Sequence, residues 1–152
     1  MVTGWVRVGV IALVGLAVLV GVGLWVRSNS GATATTQPGT MMQTNEDGQI
    51  TIKATWQGRG AGPVFAVEMD THVVNLDGYD LKQLAVLRTD QGQEIQPVSW
   101  NAPTGGHHRS GTLTFPATLA DGTPLIGSNT RNIELVIRNV GGVPERTLKW
   151  TL

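Results

Sequence analysis

The feature that most constrains this sequence is a run of nineteen residues, 8–26, without a charged or strongly polar side chain. An α-helix rises about 1.5 Å per residue, so this run would cover about 28 Å, close to the roughly 30 Å hydrocarbon core of a bilayer. The ends of the run carry residue types that favour the membrane interface, namely Trp5, Arg7, Trp25 and Arg27. The pattern predicts an uncleaved N-terminal transmembrane helix within residues 1–27, with the lipid bilayer around residues 8–26.

A cleaved secretory signal is the alternative interpretation of this segment. The apolar core of a signal is usually about 7 to 15 residues long and precedes a site with small residues. The small residues Ala32, Thr33 and Ala34 fit such a site, but they lie beyond Arg27. The short N-terminal tail and the absence of cysteine favour an orientation with the N-terminus in the cytoplasm. Under both interpretations, we expect the rest of the chain to lie outside the cytoplasm.

The charge and cysteine content exclude several classes of function. Residues 46–152 contain nine Lys and Arg side chains against eleven Asp and Glu, a difference of −2, without a basic cluster that could neutralise a row of phosphates. We therefore expect no nucleic-acid partner. The chain has no cysteine, which excludes disulfides, thiolate metal sites and thiol nucleophiles.

Residues 28–48 differ in composition from the segments on either side. They are rich in Ser, Thr, Gly, Asn and Gln and show no apolar periodicity. Such a segment cannot bury enough apolar surface to offset the entropy cost of ordering. It predicts a flexible linker between the anchor and a folded domain over residues 49–152.

From residue 49 onward, the sequence consists of short runs in which polar and apolar side chains alternate, as in β-strands with one buried face. The runs are QITIKATW, VFAVEMDTH, LAVLRTD, EIQPVSW, GTLTFP, NIELVIRNV and ERTLKWTL. The DQGQ segment between the third and fourth runs predicts a hairpin with Gly92 in its turn. Seven runs without an amphipathic helix predict an all-β fold, an antiparallel immunoglobulin-like sandwich of about seven strands.

Three segments of the domain resemble a group of bacterial exported, membrane-anchored β-sandwich proteins. They are VEMDTHVVNLDGYDL, WNAPTGGHHRSGTLTFP and IRNVGGVPERTLKW. The likeness extends over most of residues 64–150. The resemblance implies a location in the cell envelope. It carries no known activity, so it assigns no catalytic residue to this chain.

The three histidines are candidates for a metal site. Period-two geometry places Asp70 and His72 on the outer face or at the end of one strand, whereas His107 and His108 lie in the loop that enters another. One end of a sandwich could bring these four side chains together. Imidazole nitrogens and carboxylate oxygens suit Cu(II) and Zn(II). One hypothesis is therefore a copper- or zinc-binding domain; otherwise we expect no cofactor.

Two other interpretations of the adjacent histidines stay open. They can be structural parts of the loop, with one imidazole hydrogen-bonded and the other packed or in solvent. They can also belong to a partner-binding surface around the TGGHHRS segment, residues 104–110. The side chains of that surface would be His107, His108, Arg109, Trp100 and, if it is exposed, Trp56.

No catalytic motif is present in the sequence. There is no G-x-S-x-G elbow, and the glycine-rich stretch at residues 58–63 has Pro63 where a phosphate-binding loop would continue into a helix. Ser110 is close to His108 in sequence, but a hydrolase also needs a group that orients the base and donors for an oxyanion. We therefore expect a binding or scaffolding module of the bacterial cell envelope, not an enzyme, with an envelope protein of unknown identity as its partner.

Overall fold

The computed structural model describes residues 41–152. This part of the chain contains nine strands, a 3₁₀ turn at Arg59–Ala61 and a single-turn helix α1 at Leu81–Leu84. The strands are β1 Met42–Asn45, β2 Thr51–Trp56, β3 Val64–Asp70, β4 Ala85–Thr89, β5 Glu94–Ile95, β6 Ser99–Asn101, β7 His108–Thr114, β8 Asn132–Val140 and β9 Val143–Thr151.

The strands form two antiparallel sheets, consistent with a β-sandwich. Sheet 1 has the strand order β1-β2-β3-β7-β6, and sheet 2 has the order β5-β4-β8-β9. One hydrophobic core contains side chains from both sheets, and the ring of Phe65 in sheet 1 lies 5.1 Å from that of Trp150 in sheet 2. The predicted all-β, antiparallel architecture is confirmed.

The alternating sequence pattern predicts most of this core. The side chains that the pattern directs inward are buried, namely Ile50, Ile52, Ala54, Trp56, Phe65, Val67, Met69, Ile133, Leu135, Ile137, Leu148 and Trp150. Burial of a large apolar side chain contributes roughly 1.5–3 kcal/mol to folding. Since the chain has no disulfide, this packing is the main source of stability of the described domain.

The predicted hairpin at DQGQ is present between β4 and β5. Gly92 has a φ of +81°, and its backbone N–H donates to the carbonyl oxygen of Thr89 at 3.0 Å. Thr89 in turn donates to the carbonyl oxygen of Gln93 at 3.2 Å. A left-handed conformation at this position favours glycine.

The prediction of one strand over EIQPVSW is wrong. The segment forms β5 in sheet 2 and β6 in sheet 1, with Pro97 between the two. Proline has no N–H for a strand ladder, so it marks the point at which the chain crosses from one sheet to the other.

The predicted linker ends earlier than residue 48, because residues 42–45 form β1 and pair with β2. The inward side chains of β1 are Gln43 and Asn45, which are 3% and 5% exposed. Both are polar, so this strand lacks the apolar alternation that marks the others in the sequence. The folded domain therefore includes β1 and begins before residue 49.

The predicted anchor within residues 1–27 and the linker up to residue 40 lie outside the described residues. Between residues 41 and 152, none of the helices has the length and apolar character needed to cross a membrane. The interface roles of Trp5, Arg7, Trp25 and Arg27 therefore stay predictions.

A buried arginine occupies an inward position on β9. Arg146 is 1% exposed, and its Nη1 donates to Oδ1 of Asn45 at 2.6 Å and to the carbonyl oxygen of Ile50 at 3.1 Å. Its Nη2 donates to the carbonyl oxygen of Val140 at 3.2 Å. Burial lowers the pKa of Arg146. The alternation that buries Leu148 also places residue 146 inside, so this signal was present in the sequence.

The strand register gives the described domain two distinct ends. Met42, at the start of β1, pairs with Thr55 near the end of β2. We call this the tether end, because the described chain begins there. Asp70, at the end of β3, pairs with Thr51 at the start of β2 and with His108 at the start of β7. We call this the distal end; the seven residues of β3 separate the two ends by about 20 Å.

Candidate functional site

The TGGHHRS segment lies at the distal end, between β6 and β7. Strand β7 begins at His108, so Arg109 and Ser110 are strand residues and not loop residues as the sequence suggested. The carbonyl oxygen of His107 accepts a hydrogen bond from the backbone N–H of Thr71 at 3.0 Å. This bond extends the pairing of β3 and β7 by one step and fixes the path of the loop.

Arg109 joins two loops at the distal end. Its guanidinium donates five hydrogen bonds to backbone carbonyl oxygens at 2.7 to 3.4 Å and lies 5.8 Å from the ring centre of Trp100. The carbonyl groups belong to Leu76, Asp77, Tyr79, Ala102 and Pro103. Its planar fork carries five N–H donors, whereas a lysine ammonium has only three donors. Arg109 thus links the loop that contains residues 76–79 to the loop that contains residues 102–103 and stabilises the predicted surface.

Asp77 fixes the glycines of the segment. Its Oδ1 accepts hydrogen bonds from the backbone N–H groups of Gly105 at 2.8 Å and Gly106 at 3.2 Å. These two bonds lower the pKa of Asp77, because they favour its ionised form. The carbonyl oxygen of Gly106 accepts from the N–H of Leu76 at 2.7 Å. A side chain at position 105 would collide with the carbonyl group of His108, so the tight turn requires glycine.

The imidazoles of the segment face solvent while its backbone is fixed. His107 and His108 are both exposed, and 70% of the His108 side chain is accessible. Nδ1 of His108 lies 2.8 Å from Oδ1 of Asp70 on the neighbouring strand. His72, two residues beyond Asp70, is also exposed at this end.

A polar recess of about 210 Å³ lies beside His108 on the outer face of sheet 1. It is lined by Glu68, Asp70, His108, Arg109 and Ser110. The hydrogen-bond partner of the imidazole is Asp70 and not Ser110. The recess therefore presents carboxylate groups and an imidazole that is hydrogen-bonded to one of them, and a polar partner can contact these groups.

The predicted metal ligands are only partly brought together. Asp70 and His108 are in contact, but within residues 41–152 no three His, Asp or Glu side chains lie close enough to hold one ion. His72 and His107 therefore do not complete a site with that pair in this conformation.

The two tryptophans of the predicted surface have different environments. Trp56 is 5% exposed at the tether end, and its Nε1 donates to the carbonyl oxygen of Gly62 at 3.0 Å. It is therefore excluded from a contact surface at the distal end. Trp100 is half-buried on β6 under Arg109, and its Nε1 is buried without a hydrogen-bond partner among the described residues. Trp100 packs against the hydrophobic core and lies under Arg109, so most of its ring is not available to a partner.

Asp77 and Arg109 hold the site, but sequence analysis did not predict these roles. The LDGYDL segment and Arg109 are separated by about thirty residues, and their contacts depend on how two loops meet. The Asp77-Gly78 pair indicated a turn. It did not indicate that the Asp77 carboxylate accepts hydrogen bonds from the backbone N–H groups of Gly105 and Gly106.

Comparison of the chain with protein-family models, with curated proteins and with solved structures gives no match.

Proposed function

We propose that this chain is a membrane-anchored binding module of the bacterial cell envelope, in which an immunoglobulin-like sandwich contacts an envelope protein outside the cytoplasm. The apolar run at residues 8–26 would supply the anchor. The arrangement of nine strands in two antiparallel sheets agrees with an immunoglobulin-like sandwich in size and strand number.

The observation that carries this proposal is the position of the TGGHHRS segment relative to the point where the chain enters the domain. The segment lies at the distal end, about 20 Å from the tether end along β3. A domain held through its N-terminus would therefore present His107 and His108 on the side away from the attachment point.

The rigidity of the segment also favours a binding role. Asp77 and Arg109 fix its backbone through hydrogen bonds, while the two imidazoles stay exposed. A surface that is already ordered loses less conformational entropy when a partner binds.

The location is tested by labelling single cysteines in the full chain, which has no cysteine of its own. Gln91→Cys places a thiol on an exposed turn of the domain, and Thr3→Cys places one before the apolar run. A membrane-impermeant maleimide added to intact spheroplasts should label the thiol at position 91 and not the thiol at position 3. The chain should also stay in the membrane pellet after carbonate extraction. Labelling of position 3 alone would contradict the orientation.

The contact surface is tested with a photo-crosslinking amino acid at position 107 of the full chain in cells. The matched control is the same amino acid at Gln91, which is exposed at the tether end. Position 107 should give a discrete adduct with one envelope protein, and position 91 should not. Equal adducts at both positions would contradict a specific distal surface.

A copper- or zinc-binding domain is the second candidate function. The observation that favours it is the contact between Nδ1 of His108 and Oδ1 of Asp70 at 2.8 Å, which places two suitable ligand atoms side by side. An ion would take the place of this hydrogen bond, and His72 or His107 would have to move to complete the ligand set.

A further inference from the structure

Strand β9 leaves one side of its backbone without a strand partner in the described domain. It is the outermost strand of sheet 2, nine residues long, and β8 pairs with it on one side. Strand β1 lies nearby, but side chains of β9 donate the hydrogen bonds to β1 and to the residue before it: Arg146 donates to Asn45, and Trp150 donates to the carbonyl oxygen of Met41. An unpaired strand edge is a template for a strand of another molecule.

The outward side chains of β9 make this edge complementary to itself. Glu145 and Lys149 are exposed and lie two residues before and two residues after Thr147. If two copies of β9 pair antiparallel around Thr147, Glu145 of each copy lies opposite Lys149 of the other. Opposite charges at directly paired positions stabilise a sheet, and like charges destabilise it. A parallel pair in register would instead place Glu145 against Glu145.

The ion pairs on the outer face of sheet 2 support the same register. Glu134 contacts Arg88 at 3.2 Å and Lys149 at 2.7 Å, and Arg138 contacts Glu145 at 3.1 Å. In the paired arrangement, the row from Arg88 through Glu134 to Lys149 continues with Glu145 and Arg138 of the second copy. The sign of the charge then alternates without a break across the boundary between the copies.

We propose that β9 is a self-association edge, which pairs antiparallel with β9 of a second copy around Thr147 and joins the two four-stranded sheets into one. The tether ends of the two copies then point in opposite directions. The thirteen residues 28–40 can extend to roughly 45 Å, which exceeds the roughly 30 Å length of β9. Two copies anchored in one membrane can therefore form this pair.

Disulfide trapping in the full, membrane-bound chain tests the proposal. Directly opposed residues of an antiparallel pair have Cβ atoms about 4.5–5.5 Å apart, near the range that a disulfide bridges. Thr147→Cys should therefore form a disulfide-linked dimer under mild oxidation. The control Thr151→Cys lies on the same strand but about 26 Å from its counterpart, and it should stay monomeric. Equal dimer yields for the two variants, or no dimer for Thr147→Cys, would overturn the proposal.

A charge exchange in the Thr147→Cys chain tests the register. Glu145→Lys or Lys149→Glu alone should lower the dimer yield roughly three- to tenfold, because each places like charges opposite one another. The double exchange should restore the yield, since opposite charges again face each other between copies. Within one copy, the double exchange instead opposes a lysine at position 145 to Arg138 and a glutamate at position 149 to Glu134. If the single variants lower the dimer yield only by destabilising the fold of each copy, the yield should be lowest in the double variant. That result would overturn the proposal.

Discussion

Nη1 of Arg146 lies 2.6 Å from Oδ1 of Asn45, although 101 positions separate the two residues in the sequence. Both side chains are buried, and they join the first described strand to the last. The Nε of Arg146 has no hydrogen-bond partner among the described residues. The remaining hydrogen bonds of the guanidinium, including the one to Asn45, therefore have to compensate for its removal from water.

Asn45→Ala should destabilise the domain by about 2 kcal/mol, because it leaves a buried, charged donor without its closest acceptor. Urea unfolding of residues 41–152 measures the loss. Thr44→Ala on the outward face of the same strand is the matched control and should change the free energy of unfolding by no more than about 0.5 kcal/mol. Equal costs for the two variants would show that the Arg146 contact does not stabilise the domain.

Arg109→Lys should release the loops at the distal end while the sheets stay intact. A lysine ammonium has three donors and no planar fork, so it cannot serve the five carbonyl groups that Arg109 contacts. Hydrogen exchange of residues 71–80 and 102–108 should become about tenfold faster. Arg131→Lys, at an exposed position, is the control. Unchanged exchange in Arg109→Lys would refute its role in joining the loops.

Acid should loosen the TGGHHRS segment through Asp77. The pKa of Asp77 is lower in the folded chain than its ordinary value of 3.8, chiefly because of the hydrogen bond from Gly105. The stabilisation is therefore fully present above the ordinary value and is lost as the pH falls through the lower, folded value. The protection of the Gly105 and Gly106 amides against exchange, measured relative to the intrinsic exchange rate at each pH, should fall in that range. Asp77→Asn should remove this pH dependence, and its persistence would assign it to another group.

Titration of residues 41–152 with Cu(II) or Zn(II) tests the second candidate function. If the domain holds an ion, it should take up one per chain with sub-micromolar affinity. This uptake should disappear in His108→Ala, which removes the imidazole in contact with Asp70. It should also disappear when His72→Ala and His107→Ala are combined, since one imidazole and one carboxylate leave the ligand set incomplete. Weak uptake without a fixed stoichiometry, or uptake that survives both the single and the combined substitution, would refute the metal site.

The alternation of side chains predicted the strands that bury apolar residues. It located β2, β3, β8 and β9, because each directs a row of apolar side chains into the core. It missed β1, whose buried side chains are Gln43 and Asn45. The partner of Asn45 is Arg146, which lies 101 positions away in the sequence, so the sequence pattern did not indicate this contact.

The candidate site was predictable in its position but not in its construction. The loop entering β7 and its exposed histidines follow from the pattern of turn residues and alternation. The contact between Asp70 and His108 requires the register of β3 against β7, which a single sequence does not fix. The hydrogen bonds of Arg109 depend in addition on the conformations of two loops.

The bond from Trp150 Nε1 to the carbonyl oxygen of Met41 has a mechanical consequence. Tension applied to the N-terminal end of residues 41–152 enters the domain at Met41, where the side chain of Trp150 on β9 binds the backbone. Such a pull has to break this contact and the one between Arg146 and Asn45 before β1 can peel from β2. The strength of the module under load therefore depends on its last strand as much as on its first.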